Sequence, residues 1–425
     1  MGIQSFVHVK GNKKYSNQGS AKVHHPKRLS FDVPLLLVVF SLILFGILMV
    51  YSASADYSYQ VYGSPSYIFM RQVRWLGLGA VVMFILAWID YHWWKKLALP
   101  LMLLAIFALV AVLIVQDTRL GSVRSLFRGS IQPSELAKFG IVIYLSVWLN
   151  NRRAMLKNIY LALIPLAVIM GIVGGLIVLQ PDLSAVITII ILGGMMFFLA
   201  GGELKQFLFM MAVGILVGVI VLRSGIFPTG PDRMDSFLAG LKDPLQYSEH
   251  VRRSLEAFMR GGWIGVGIGK SQTKLNGLPF PHTDSVFAVV GEETGLLGAV
   301  VLVCLFLLLM WRGWVISRRA PDGLGMLLAG GLAFWLSLEA FINMLVMVGL
   351  LPFAGNALPF ISSGGSNLLV VMASVGILLN ISRVSEKTKQ GEEKGFNAVV
   401  NLRGGDRRRS VSRPVSPQTT NDSDS

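Results

Sequence analysis

Ten predominantly apolar stretches, each close to 20 residues long, recur along this chain and dominate what it can fold into. About 20 residues is the length a helix needs to cross the ~30 Å hydrocarbon core of a bilayer. The stretches lie near residues 34–54, 72–90, 97–116, 134–150, 159–180, 185–202, 207–224, 285–311, 324–350 and 365–382. They are hydrophobic all round, whereas barrel strands show short alternating segments. The expected fold class is therefore an all-α polytopic membrane protein of about ten transmembrane helices. Charge content agrees: 14% of the residues are charged, against about a quarter in soluble chains.

The net charge of +15 is not a nucleic-acid signature, because Lys and Arg gather in the tails and in short loops between apolar runs. Placing both termini in the cytoplasm puts 24 Lys and Arg inside, against 10 in the outer loops 117–133 and 225–284. That asymmetry follows the positive-inside rule. Residues 1–31 read as a basic, disordered cytoplasmic tail, residues 32–383 as the membrane domain, and residues 384–425 as a second disordered cytoplasmic tail. Some 33 mostly polar residues precede the first apolar run and no cleavage signal follows it, so no signal peptide is expected. The single cysteine, Cys304, lies inside an apolar run and reads as a packing residue. The long extracytoplasmic loop 225–284, between the seventh and eighth helices, is basic and Gly-rich against the topology bias. An anionic ligand at the outer membrane surface would explain its charge.

Ionisable residues inside apolar spans are costly and default to functional candidates. Glu135 and Lys138 open the fourth span at a spacing that puts them on one helical face, either as a structural pair or at a cavity. Asp182, in a tight outer turn, reads first as a helix cap and second as a cavity residue. Glu292, Glu293, Glu339 and Asn343 are expected to bond across helices. The run Gly265 to Ser271 imitates a phosphate loop, but Ile264 stands where the motif needs glycine. It reads as flexible backbone, with a weaker alternative of bare amides and Lys270 near a pyrophosphate. Pro281-His282-Thr283-Asp284 places one carboxylate where the basic loop meets the eighth span. A general base for a lipid-linked anionic substrate and a simple N-cap are both open there. Residues 351–366, with two prolines and three glycines in a semi-apolar run, read as a partly buried or re-entrant loop.

Taken in order, these segments resemble the SEDS family of bacterial shape, elongation, division and sporulation proteins, over about residues 32–383. The resemblance rests on Asp32, Val50-Tyr51-Ser52-Ala53-Ser54, Gln132 to Lys138, Gln180-Pro181-Asp182, Arg233 and Asp243-Pro244. It continues through Gly261-Gly262, Lys274, Leu278-Pro279, His282-Thr283-Asp284, Gly291 to Gly295 and Leu358 to Ser366. The tails look more like the division branch than the elongation branch. Several positions depart from the family pattern. Phe280 stands for the usual acidic residue after Leu-Pro, and Ser285 for the aromatic after the Asp. The usual Tyr-Gln…Gln-Ser run reads Glu249-His250-Val251-Arg252-Arg253-Ser254, Ser125 follows Arg124 in place of Trp, and Ser184 replaces a common Gly.

The resemblance implies a ten-helix fold in the inner membrane and a peptidoglycan glycosyltransferase that polymerises lipid II on the extracytoplasmic side. Asp284 is then the expected general base. Arg233, Arg252, Arg253, Lys270 and Lys274 are the expected cations for the departing polyprenyl pyrophosphate. His282, Thr283, Ser362, Gly364, Gly365 and Ser366 are expected to bind substrate, with Glu135, Lys138 and Asp182 lining or bracing the cavity. A divalent cation, Mg²⁺ or Mn²⁺, could be held by Asp284; no nucleotide or organic cofactor is expected. Implied partners are lipid II, polyprenyl-pyrophosphate-linked glycan, a class B penicillin-binding transpeptidase and other divisome proteins, with no nucleic acid. A lipid II flippase and a non-catalytic scaffold activating a transpeptidase are the rival readings.

Overall fold

The structure, a computed structural model, describes residues 31–115, 132–156, 158–223 and 230–406. The tail 1–30, residues 116–131 with Arg124 and Ser125, and residues 407–425 lie outside the described residues. Twelve α-helices follow one another: α1 (Val33–Tyr62), α2 (Tyr67–Trp88), α3 (Trp94–Val115), α4 (Pro133–Asn151), α5 (Ile164–Val178), α6 (Leu183–Leu199), α7 (Leu204–Arg223), α8 (Gly230–Gly240), α9 (Glu249–Gly261), α10 (Val286–Arg319), α11 (Gly323–Met347) and α12 (Gly365–Asp406). A π-helical turn, Ile159–Leu163, leads into α5. Among the described residues there is no strand.

Each of the ten expected spans coincides with one helix, and among the described residues eight helices are long and apolar enough to cross a membrane. The other two are α6, with 17 residues, and α4, whose hydropathy is lowered by Ser134, Glu135 and Lys138 near its start. Burial orders the bundle: 89% of the α12 span and 78% of the α11 span are buried, against 11% for α7. Hence α11 and α12 form the centre and α7 the lipid-facing rim. Cys304 is exposed on α10, so it faces the surroundings of the bundle and is not the packing residue expected.

The loop 225–284, whose stretch Val251 to Met259 mixes apolar and charged residues, contains two helices, α8 and α9. The second forms because Val251, Ser254, Ala257 and Gly261 recur on one face and are buried, leaving the charged residues on the other. The C-terminal tail does not become irregular at 384, since α12 runs on to Asp406. Extending a helix already nucleated by a buried span is cheap, and Glu, Lys and Gln in 386–394 are good helix formers.

Helix α10 is broken at Gly295, whose backbone (φ 69, ψ −170) is not helical. The groups freed by the break pair with the loop after α9. Leu296 N and Leu297 N donate to the carbonyls of Gly262 and Trp263, while Val266 N and Gly267 N donate to those of Glu292 and Glu293. A Cβ on Gly295 would lie 2.4 Å from Gly265 N. The glycine-rich run is therefore spliced into α10 rather than loose. Its amides at 266 and 267 already have carbonyl partners and do not form an anion nest, contrary to the weaker phosphate alternative.

Candidate active site

The turn that carries Asp284 begins with Leu278-Pro279-Phe280-Pro281, where two prolines prevent helix formation upstream of α10. Phe280 adopts a left-handed backbone (φ 49), and its carbonyl accepts from Thr283 N at 3.1 Å and Ser285 N at 3.3 Å. Ser285 is the N-cap residue of α10, without a side-chain cap bond, and Asp284 directly precedes it. Three successive carbonyls of the turn are held by other elements. Ser363 N donates to His282 O at 2.8 Å, Ser362 Oγ to Thr283 O at 2.6 Å, and Asn343 Nδ2 to Asp284 O at 2.8 Å. The half-buried Asp284 thus sits on a backbone fixed residue by residue.

The opposing wall is the segment 351–366, partly buried as expected and irregular up to the start of α12 at Gly365. Ser362 Oγ accepts from Leu358 N at 2.7 Å, and Gln72 Nε2 donates to Ser362 O at 3.3 Å. Phe360 presses its carbonyl against α1, where a Cβ on Gly46 would lie 2.3 Å from that oxygen. At the start of α12 a Cβ on Gly365 would lie 2.4 Å from the Trp75 indole. Gly365 therefore serves close packing, and Gly364 adjoins it. Ser366 Oγ accepts from Gln132 N at 3.1 Å, facing the start of α4 and not the Asp284 turn.

Behind this wall a buried polar chain crosses the bundle. Lys138 Nζ bonds Glu135 Oε1 at 2.7 Å and also Glu339 Oε1. Asn367 Nδ2 reaches Glu135 Oε2 at 3.0 Å. Asn356 Nδ2 donates to Glu339 O at 3.3 Å, and Asn343 Nδ2 donates to Asn356 O at 2.5 Å as well as to Asp284 O. Asp182 caps α6 through Ala185 N at 3.3 Å and accepts from Ser134 Oγ at 3.1 Å and Gln132 Nε2 at 3.2 Å. Glu135, Lys138 and Asp182 therefore brace the site. Gln72, Asn356 and Asn367 belong to the same framework and escaped the sequence reading. Their signal was an amide side chain in an apolar stretch.

The expected cations divide. Lys274 is locked by Glu293 Oε1 at 2.9 Å, Ser52 O at 3.0 Å and Gly269 O at 3.1 Å, with 4% of its side chain exposed. It fastens the loop to α1 and α10 and is not placed as a free anion receptor. Glu292 does the same for the 271–273 turn, accepting from Gln272 N at 3.0 Å and Ser271 Oγ at 2.5 Å. Lys270 is exposed. Arg252 and Arg253 are half-buried on α9, and Arg253 bonds Glu256 at 3.0 Å. Arg233 on α8 lies over the Phe353 ring, 5.5 Å from its centroid.

Two histidines border the turn. His282 is buried against Tyr57, with ring centroids 4.8 Å apart. Burial, assisted by the positive charge of Arg71, pushes its pKa down to about 4. His250 on α9 stacks on Phe353 at 4.0 Å, and burial holds its pKa at about 4 also. Both are neutral near pH 7. Among the described residues no group of three or more His, Cys, Asp or Glu could hold a metal ion. The donor chemistry beside the turn is one carboxylate.

An apolar cavity of about 350 Å³ opens between α6 and α7, lined by residues such as Val186, Ile190 and Ile215. Arg233, Pro352 and Phe353 also line it, so it adjoins the wall of the Asp284 turn.

Residues 33–387 match the cell cycle protein family of FtsW, RodA and SpoVE. A probable peptidoglycan glycosyltransferase FtsW from Geobacter sp. (strain M18) is 36% identical over 358 residues, covering 83% of this chain and 96% of the relative. The stage V sporulation protein E of Bacillus subtilis (strain 168) is 34% identical over 365 residues, covering 84% and 99%. Among solved structures, a chain of a peptidoglycan synthase complex that coordinates polymerization and crosslinking superposes with a TM-score of 0.66 at 25% identity, covering 84% and 99%. The rod shape determining protein RodA of Thermus thermophilus gives 0.60 at 25% identity, covering 84% and 98%.

Proposed function

Because the chain belongs to the FtsW, RodA and SpoVE family of cell cycle proteins, we propose that it polymerises lipid II at the outer face of the cytoplasmic membrane with Asp284 as general base. It is a multi-pass membrane protein and a peptidoglycan glycosyltransferase, acting in septal wall synthesis. The observation that carries the assignment of Asp284 is its setting. It is the carboxylate of a turn whose carbonyls 282, 283 and 284 are each tied to the wall or to α11. Fixing a base to within a hydrogen-bond length of its proton is what such catalysis requires.

In the proposed step, Asp284 takes the proton from the sugar 4-hydroxyl of an incoming lipid II. The oxygen attacks the anomeric carbon of the lipid-linked growing chain, the bond to polyprenyl pyrophosphate breaks, and the α link becomes β. Negative charge grows on the departing pyrophosphate, which favours fixed cations around it. Arg233, Arg252, Arg253 and Lys270 are the candidates, and the apolar cavity beside Arg233 suits a prenyl chain. Mg²⁺ or Mn²⁺, if bound, would take one protein oxygen from Asp284 and supply charge neutralisation at the pyrophosphate. The orientation follows from the charge bias, with Asp284 outside and the Arg318-Arg319 end of α10 inside. A penicillin-binding protein is the partner, and a class B transpeptidase within the divisome is the specific one proposed.

The test is glycan polymerisation by purified full-length protein supplied with lipid II, Mg²⁺ and a cognate transpeptidase. Asp284→Asn should lower the rate by at least about 10²-fold while leaving thermal unfolding unchanged. Polymer from that variant at the normal rate would exclude Asp284 as the base. Lipid II movement across vesicles without polymer would favour a flippase, and no polymer under any condition a scaffold.

A further inference from the structure

Three departures from the family pattern meet beside Asp284: His250 on α9, and Phe280 and Ser285 of the turn itself. His250 is near-parallel to two phenyl rings: Phe353 at 4.0 Å with planes 20° apart, and Phe280 at 6.2 Å with planes 10° apart. His250 Nδ1 is 3.5 Å from Ser285 Oγ, next to Asp284. Arg233 lies over Phe353, and both border the apolar cavity. Arg233, Phe353, His250 and Phe280 are therefore successive neighbours from the cavity to the turn that carries the candidate base, and the three rings form an aromatic column.

We propose that the exposed ring of Phe280, backed by His250 and Phe353, is a carbohydrate platform that receives the apolar face of one saccharide unit of the lipid-linked substrate beside the Asp284 turn. This rests on the glycosyltransferase reading for the identity of the ligand. The C–H face of a pyranose is apolar and slightly positive, and an aromatic face is negative, so the two attract when laid parallel. Phe280 is 58% exposed, leaving the outer end of the column open. Its left-handed backbone (φ 49) is costly for a residue with a Cβ. Strain of this kind, held in place by a surrounding turn, is a feature of ligand clamps. With its pKa near 4, His250 carries no charge at neutral pH, so its ring joins the stack as a neutral aromatic.

The test compares two ligands on full-length protein in detergent: lipid II, and polyprenyl pyrophosphate lacking the sugars. His250→Ala and Phe280→Ala should weaken lipid II binding by about two- to tenfold, the range of one aromatic contact, and leave the sugar-free ligand unchanged. His250→Phe, which keeps a ring, should restore most of the lipid II affinity. Phe280→Gly removes strain and ring together, so it should lose lipid II affinity without losing thermal stability. Equal weakening of both ligands, or no change in either, would overturn the platform. If wild type fails to bind or polymerise lipid II, the glycosyltransferase reading falls instead, which these variants do not decide.

Discussion

Asn343 Nδ2 bonds the carbonyl of Asp284 at 2.8 Å, tying the candidate base to the centre of α11. The same amide also reaches Asn356 O at 2.5 Å. One side chain therefore joins the Asp284 turn, the irregular wall and, through Asn356, the backbone of Glu339. Replacing Asn343 by Leu should orphan two acceptors at about 1–3 kcal/mol each. The expected result is lower thermal stability and a reduced turnover number with little change in KM. Wild-type stability in the variant would show that the two carbonyls need no such partner.

Lys138 lies between two carboxylates in a fully buried site, with 1% of its side chain exposed. Lys138→Met should leave uncompensated buried charge and cost about 3–5 kcal/mol. Adding Glu339→Gln should recover part of the loss. Thermal unfolding of the single and double variants measures both, and additive losses would contradict a shared network.

The break in α10 is held by the loop after α9, and a Cβ on Gly295 would collide with Gly265 N at 2.4 Å. Gly295→Ala should unseat the splice. Hydrogen exchange should then accelerate at the amides of 266, 267, 296 and 297, which the splice now pairs. Unaltered exchange there would mean that the loop holds without the glycine.

Acid should lower stability through two histidines. His250 and His282 have folded pKa values near 4, below the ordinary 6.5. Between those values the unfolded chain binds protons that the folded chain does not, so stability falls as pH drops through the window. Above 6.5 neither histidine contributes a slope. Thermal unfolding from pH 7 to pH 4 should show the decline, and His250→Phe should flatten part of it. A decline of unchanged steepness in the variant would assign it to other groups.

The local patterns of the chain were readable because they depend on spacing. Glu135 and Lys138 stand three residues apart and do pair; Asp182 precedes a helix and does cap it. Partners brought from afar were not readable. Glu339 meets Lys138 across 201 positions, and Lys274, taken for a substrate cation, is claimed by Glu293 and Ser52. Charge alone identifies a lysine, but not whether a carboxylate already holds it.

The same division runs through the whole molecule. The sequence by itself determined the membrane class, the ten apolar segments that become helices and the position of Asp284 at the head of α10. Each follows from hydrophobicity over about 20 residues and from prolines that stop a helix. Only the tertiary structure decided which helices sit at the centre, how the broken α10 is mended and which side chains surround Asp284. Those outcomes depend on contacts between residues hundreds of positions apart. In a bundle of uniformly apolar helices, the choice of neighbours rests on small residues, buried amides and ion pairs whose partners periodicity cannot name.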